Sequence, residues 1–350
     1  METMQQSLRV VHVHLGIKGG AERFFVSLVN ALAERGVEQK ALVFPDRVWK
    51  KDIEKACEVT EIKFSRSHIA RFFINRRIAN MNRAFRPHAM MSWMPQATRW
   101  IPNDPTILTA ARLGDYPERL DYFANCDVLV CNTPDIARAA GDIGWDRSKT
   151  RVISNFTDTR PVTPISRESL DTPDDAHVVL GLGRFVDRKG FDTLLKGVAR
   201  SEGSYLWLIG EGEEEDNLRR LAADLGITDR VRFIGWTMDP GPYLSACDVM
   251  VIPSRHEPLG NVVLEAWAVG KPIISTASEG PSWLIDDNVN GLIVPIDDHE
   301  GVGKAIDRLR SDAGLVSRLV ENATEKLQKG YSRDAICDAY IDLFSGKRAG

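Results

Sequence analysis

Short apolar runs of strand length alternate with helix-length amphipathic segments along nearly the whole chain. Leu8 to Leu15, Gln39 to Phe44, Ala89 to Trp93, Thr106 to Ala110, Val128 to Cys131 and Thr150 to Ile153 read as strands. Stretches such as Ala21 to Arg35 and Pro134 to Ile143 read as the helices between them. Alternation of this kind predicts a parallel sheet covered on both faces. The rhythm stops from Thr157 to Asp175, where Thr, Pro, Ser and Asp dominate as in a connecting segment. It restarts with Val178 to Leu182, Tyr205 to Ile209, Val231 to Ile234, Val249 to Ile252 and Pro272 to Ser275, and Val302 to Phe344 is mostly helical. The expectation is an α/β chain of two Rossmann-like, doubly wound domains, 1–158 and 176–331, joined by a linker at 159–175. A last helix, about 332–350, is expected to pack back on the first domain. Ligands of such sheets bind at the carboxyl ends of the strands, where two facing domains would leave a cleft.

The length, 350 residues, supports two cores rather than one. With 43% hydrophobic and 27% charged residues, disordered, collagen-like and disulfide-scaffold classes are excluded. Five cysteines, Cys57, Cys126, Cys131, Cys247 and Cys337, form no Cys-x-x-Cys pair and read as buried thiols in a reducing compartment. No apolar stretch reaches membrane-spanning length and Met1 to Arg9 is polar, so a cytoplasmic location is expected. The net charge of −4 hides an asymmetry: residues 1–160 carry 24 Lys and Arg against 18 Asp and Glu, and the remainder 21 against 31.

The densest chemistry lies between Pro253 and Pro272. A buried strand empties into a polar loop, Pro258 and Gly260 permit a tight turn, and a helix is expected from about Leu259 to Gly270. Such a helix start presents backbone N–H groups and the positive end of its dipole, which suit a phosphate. Glu257 in the loop and Glu265 in the helix either meet neutral hydroxyls of a ligand or are plain solvated acids. In Gly181-Leu-Gly-Arg184-Phe-Val-Asp-Arg-Lys189-Gly190, Arg184 and Lys189 are either two cations converging on a diphosphate or a surface charge pair. Gly16-Ile-Lys-Gly19-Gly20-Ala21-Glu22 is a ligand-approaching loop or a tight strand-to-helix turn, and its spacing is not the dinucleotide fingerprint. Gly210-Glu-Gly212 and Phe233-Ile234-Gly235 close two later strands, where backbone groups could read a base edge.

Taken together these segments resemble the retaining family-four glycosyltransferases of the GT-B fold, in order over nearly the whole chain. The resemblance rests on Gly19-Gly20-Ala21-Glu22, on Val152-Ile153-Ser154-Asn155 with Asp158, and on Gly183-Arg184 with Lys189-Gly190. It continues through Gly210-Glu-Gly212, Glu257 and Glu265 with seven residues between them, and Asn290 to Pro295. It implies two facing domains and a nucleotide-diphosphate sugar as donor, with UDP, GDP and ADP types all open. Arg184 and Lys189 would hold the diphosphate, backbone near Leu259 and Gly260 the distal phosphate, and Glu265 the ribose. Glu257 would contact the transferred sugar, while Phe233 and Ile234 would border the base. The sequence departs from the family at Arg112 and Asp115, near where many members carry histidine, and at Trp283, near where many carry glutamate. Arg112 and, on the first strand, His14 are the acceptor-side candidates, although a strand histidine such as His14 is also a common core residue; His256 is a further cleft candidate.

A departing diphosphate takes up negative charge, which fixed cations and helix N–H groups can stabilise. No Asp-x-Asp closes a strand, so neither metal nor cofactor is expected. Between Ile62 and Asn103 there is no acid, while Lys63, Arg66, Arg71, Arg76, Arg77, Arg83, Arg86 and Arg99 interleave with Phe72, Phe73, Ile74, Ile78, Met81 and Phe85. Lys63 to Arg86 either lies on an anionic membrane or greets an acidic acceptor such as a lipid-linked glycan of the lipopolysaccharide core, or else turns its apolar side to the core. Nucleic acid is not expected, because no binding motif accompanies the charge. An epimerase of the same fold, a nicotinamide-dependent dehydrogenase and a non-catalytic nucleotide-sugar-binding protein are the rival readings.

Overall fold

The computed structural model describes residues 7–346 apart from 18, 66, 158–160 and 238. Asp158 and Arg66 therefore lie outside the described residues. The chain divides into two compact units, Met1–Phe156 with Arg333–Gly350, and Thr157–Ser332.

In the first unit β1 (Arg9–His14), β2 (Glu38–Val43), β3 (Glu58–Glu61), β4 (Ala89–Ser92), β5 (Leu108–Leu113), β6 (Val128–Cys131) and β7 (Thr150–Val152) form one parallel sheet in the order β3-β2-β1-β4-β5-β6-β7. Helices α1 (Gly20–Glu34), α2 (His68–Phe85) and α3 (Pro134–Asp142) connect them. Strand residues serve two cores in alternation: Val10 packs into the cluster with Phe24, Phe25 and Leu28, while Val11 and Val13 join Ile78, Met90 and Trp100. Strand β3 escapes the apolar pattern because it is an exposed edge of sequence Glu-Val-Thr-Glu, tied to β2 by Lys40 and Glu58 at 2.6 Å.

The second unit repeats the plan with β8 (His177–Leu182), β9 (Ser204–Ile209), β10 (Val231–Gly235), β11 (Val249–Ile252), β12 (Ile273–Thr276) and β13 (Leu292–Val294), in the order β10-β9-β8-β11-β12-β13. Strand β13, of three residues, lies at the edge beyond β12 and was not read as a strand in the sequence. Its helices are α4 (Phe191–Arg200), α5 (Glu215–Asp224), α6 (Gly241–Ala246), α7 (Asn261–Ala268), α8 (Glu279–Leu284), α9 (His299–Ser311) and α10 (Ala313–Gly330). Residues 161–175, linker-like in composition, group with this unit. Arg167 there donates to the carbonyls of Asp174, Ala176 and Ala246 and to the Asp248 carboxylate, and Thr172 accepts the Trp207 indole N–H at 3.0 Å. The final helix, α11 (Arg333–Phe344), returns to the first unit, where Ile336, Tyr340 and Phe344 complete the α1 core. Both units carry the doubly wound parallel architecture that the alternation of strands and helices predicts.

Two histidines lie inside the first core. His12 accepts the Trp93 indole N–H at 3.3 Å on one ring nitrogen and donates to Gln39 at 3.1 Å from the other. His14 accepts the Gly16 N–H at 3.0 Å and sits among Phe25, Trp49 and Trp93. Burial drives the His12 pKa down to about 4 against a smaller opposing effect of Gln39. Burial, with the nearby charges of His12 and Arg47, takes His14 to about 3. Both are neutral when folded, yet take up a proton near 6.5 when unfolded, so acid favours the unfolded chain. Their stabilising contribution is complete above about pH 6.5 and is lost below it, at up to about 1.4 kcal/mol per pH unit for each histidine. Thermal melts between pH 7.5 and 5.5 should show the loss, and an imidazole resonance of either histidine titrating near 6.5 in the folded protein would overturn it.

Candidate functional site

The sheet order of the second unit reverses at β8, whose neighbours are β9 on one side and β11 on the other. The crevice outside the carboxyl ends of β8 and β11 is where an open α/β sheet binds ligands. The loop leaving β8 carries Arg184, a short turn at Asp187–Lys189 and Gly190, which opens α4. The loop leaving β11 runs from Pro253 to Gly260, which opens α7. These two loops are locked together. Gly190 is left-handed (φ 64°), and a Cβ on it would stand 2.1 Å from the Pro253 carbonyl oxygen. The backbone N–H groups of Arg255 and His256 donate to the Arg188 carbonyl at 2.8 and 3.3 Å. The Arg255 guanidinium reaches the Asp187 carbonyl, both Asp192 oxygens and, at 2.8 Å, Asp297.

Lys189 and Glu257 meet across this seam. Their side chains are only 18% and 14% exposed, and the Lys189 ammonium donates to Glu257 Oε2, which the Ser254 hydroxyl approaches at 3.5 Å. Arg184 begins the same loop as Lys189 and points an exposed side chain to solvent. Beyond Glu257, Leu259 is buried and Gly260 takes the left-handed conformation that starts α7 at Asn261. This helix is shorter at both ends than the residues 259–270 expected, because Gly260 must turn before it and Val269 closes it. No side-chain cap hydrogen bond closes its first turn. Glu265 lies one turn further along, half-buried.

The neighbouring strand ends are also tied. Gly183 N–H donates to the Ile209 carbonyl at 3.0 Å, and Phe185 N–H to Glu211 at 2.9 Å. Gly212 backs onto the Phe185 carbonyl so closely that any side chain would collide. Phe233 meets Phe185 edge-on and lies under the Arg219 guanidinium at 4.2 Å. Phe233 and Ile234 line an open groove of about 460 Å³ with Arg219, Arg232 and Tyr243.

In the first unit Gly19 and Gly20 form the turn into α1, over the buried Glu22. His14 is sealed in its aromatic cage. Arg112 is 5% exposed and structural in its contacts: it donates to Asn155 and, at 3.1 Å, to the Tyr340 hydroxyl, and it covers the Phe24 ring at 4.8 Å. The structure thus assembles Lys189, Glu257, Gly260 and Leu259 at one place, with Arg184 on the same loop, and sets His14 and Arg112 in the other unit's core.

Two residues were missed in the sequence. Arg255 is one, legible only as one cation of a Ser-Arg-His-Glu loop. Glu279 is the other: its carboxylate accepts the Glu257 N–H at 3.0 Å and the His256 Nδ1–H at 2.9 Å. Burial opposes its charge, but His256 and the backbone N–H groups of Glu279 and Glu257 hold its pKa below the usual glutamate value. Trp283, where a glutamate was the family expectation, packs instead against the Tyr331 ring.

Residues 162–326 match the family model described as glycosyl transferases group 1. LpsE of Rhizobium meliloti, a lipopolysaccharide core biosynthesis glycosyltransferase, is 52% identical over 340 residues, covering 97% of this chain and 100% of the relative. The chain belongs to the group 1 glycosyltransferases. LpsD of the same organism is 48% identical over 96% of the chain and 98% of its own length. The crystal structure of Anabaena HepE in complex with UDP and glucose superposes on this glycosyltransferase with a TM-score of 0.83 at 19% identity, covering 97% of this chain and 100% of that one.

The seam predicts the effect of closing its gap. Gly190→Ala must strain the backbone and push Pro253 away, so urea unfolding should show a loss of about 1–3 kcal/mol. An unchanged midpoint would mean that the two loops are not held by this contact.

Proposed function

We propose that this glycosyltransferase moves a sugar from a nucleotide-diphosphate sugar to a lipid-linked or lipopolysaccharide-core glycan, with retention at the anomeric carbon and without a metal. The meeting of Lys189 with Glu257 at the β8/β11 switch point carries the reading, because it sets a cation for phosphate beside an acid for sugar hydroxyls. When donor arrives, Lys189 turns from Glu257 to the diphosphate, and Arg184 forks onto it from the start of the same loop. The uncapped first turn of α7, at Leu259, Gly260 and Asn261, takes the distal phosphate, and Glu265 takes the ribose. Gly19, Gly20 and Gly212 let backbone approach the donor. Phe233 and Ile234 border the base. The cations and N–H groups stabilise the leaving diphosphate, so departure proceeds on the same face as attack through an oxocarbenium-like pair. Lipopolysaccharide core is the favoured acceptor because the two relatives about half identical over nearly the whole chain are named for its biosynthesis. Uridine diphosphate is the first nucleotide to test, since the HepE structure holds it.

Helix α2 supports an acceptor at an anionic membrane. Ile74, Met81 and Phe85 pack inward around the buried Ile78, but Ile69, Phe72 and Phe73 are 74%, 61% and 63% exposed beside the exposed Arg71, Arg76 and Arg77. A basic helix with such an apolar face suits peripheral binding. Among the described residues no helix is long and apolar enough to cross a membrane.

Lys189→Ala should lower turnover at least tenfold, about 1.4 kcal/mol of barrier; near-wild-type turnover would remove Lys189 from the mechanism. Glu257→Gln should not weaken calorimetric binding of uridine diphosphate, and lost affinity would reassign Glu257 to the nucleotide. Transfer should survive excess EDTA, whereas abolition reversed by magnesium would overturn the metal-free reading. Flotation with phosphatidylglycerol liposomes should recover the protein, and its absence there would point to a soluble acceptor.

A further inference from the structure

The peptide group of Glu257 is gripped from both sides by two consecutive residues of one helix start. Its N–H donates to the Glu279 carboxylate at 3.0 Å, and its carbonyl accepts the Gly280 N–H at 2.8 Å. The fit is close: a Cβ on Gly280 would stand 2.4 Å from the Leu259 backbone, so this turn of α8 lies directly against residues 257–259. The second Glu279 oxygen takes the His256 Nδ1–H at 2.9 Å, which a carboxylate can only accept. One side chain therefore fixes the backbone of Glu257, and the ring orientation and tautomer of the residue before it. The Glu279 side chain is one-third exposed, so it stands at the rim of the crevice rather than in the core.

We propose that Glu279 is a positioning residue for sugar transfer, acting through the Glu257 main chain and the His256 imidazole. The inference rests on the reading that Glu257 contacts the transferred sugar. The Glu257 carboxylate is then aimed by Lys189 and Ser254 at its tip, by Gly280 at its carbonyl and by Glu279 at its N–H. With donor bound, Lys189 is drawn to the diphosphate, and the two main-chain constraints become the main hold on the aim. Loss of Glu279 should therefore disturb the sugar end of the donor and leave the nucleotide end intact. Misplacing a reacting group by about 1 Å is enough to lower a rate by two orders of magnitude.

The test uses the full chain, the nucleotide sugar that the wild-type enzyme turns over, and uridine diphosphate as the binding probe. Glu279→Ala should lower kcat at least tenfold, with the Kd for uridine diphosphate within threefold of wild type. Glu279→Gln keeps one acceptor for two N–H donors and should fall between. The His256 ring nitrogen resonances should lose the Nδ1-protonated pattern in Glu279→Ala. Wild-type kcat in Glu279→Ala would overturn the proposal. So would a loss of uridine diphosphate affinity as large as the loss of kcat, since that marks a general collapse of the site; Glu279→Gln decides the matter if the alanine variant does not fold. Glu257→Gln measured alongside separates the two claims. If it transfers at the wild-type rate, the reading of Glu257 itself falls; if it is inactive while Glu279→Ala is normal, only the role of Glu279 falls.

Discussion

A lysine and a glutamate that are each less than a fifth exposed meet between two loops, each offsetting the other's charge where little water reaches. Removing either from the Lys189–Glu257 pair leaves an ion with little water and no partner, which in buried pairs costs about 3–5 kcal/mol. That constraint is met by two loops far apart in sequence, and most of the local architecture serves it. Gly190 lets the loops touch at Pro253, Arg255 ties the second loop to Asp187, Asp192 and Asp297, and the Arg188 carbonyl accepts two N–H groups from across the seam.

The placement follows from topology. Strand β8 pairs with both β9 and β11, so the helices after β8 and β11 leave on opposite faces and their loops diverge around a crevice. The chain then needs short, glycine-bearing turns to bring side chains back across that gap. This accounts for the clustering of glycines at strand ends rather than in strand interiors. The same rule operates in the first unit at β1, where Gly19 and Gly20 open α1, yet there the titratable residues of the strand, His12 and His14, were drawn into the core and hold its aromatic rings in register.

What could be read from the sequence were features that repeat locally. Val249 to Ile252 is a strand wherever it falls, and the spacing of Lys189, Glu257 and Glu265 survives in one dimension. Strand β3 was illegible because an exposed edge needs few apolar residues, and residues 161–175 read as linker because one arginine, Arg167, supplies through three carbonyls and one carboxylate the cohesion that composition lacks. Arg112 illustrates the opposite failure. A cation at a strand end suggests an acceptor site, but its partners, Asn155 and Tyr340, are 43 and 228 residues away, and no spacing reveals them. Glu279 was hidden for the same reason: its partner is a main-chain N–H, which carries no signature in the side-chain sequence.

Helix α2 shows how a single amphipathic pattern can serve two surfaces. The spacing of Ile74, Ile78, Met81 and Phe85 satisfies the core, which by itself would explain the hydrophobic content of the segment. Ile69, Phe72 and Phe73 do not follow that stripe; they stand in water at the amino-terminal end of the helix, where burial of each would stabilise by about 1.5–3 kcal/mol. Isolated exposed apolar residues are ordinary, but Phe72 and Phe73 touch edge to face, 5.6 Å between ring centres, within a segment that contains no acid from Ile62 to Asn103. A core-facing helix with arginines added for solubility would have no need to exclude every carboxylate. Exclusion of negative charge around an apolar knob is the arrangement expected where the opposing surface is itself anionic and apolar beneath.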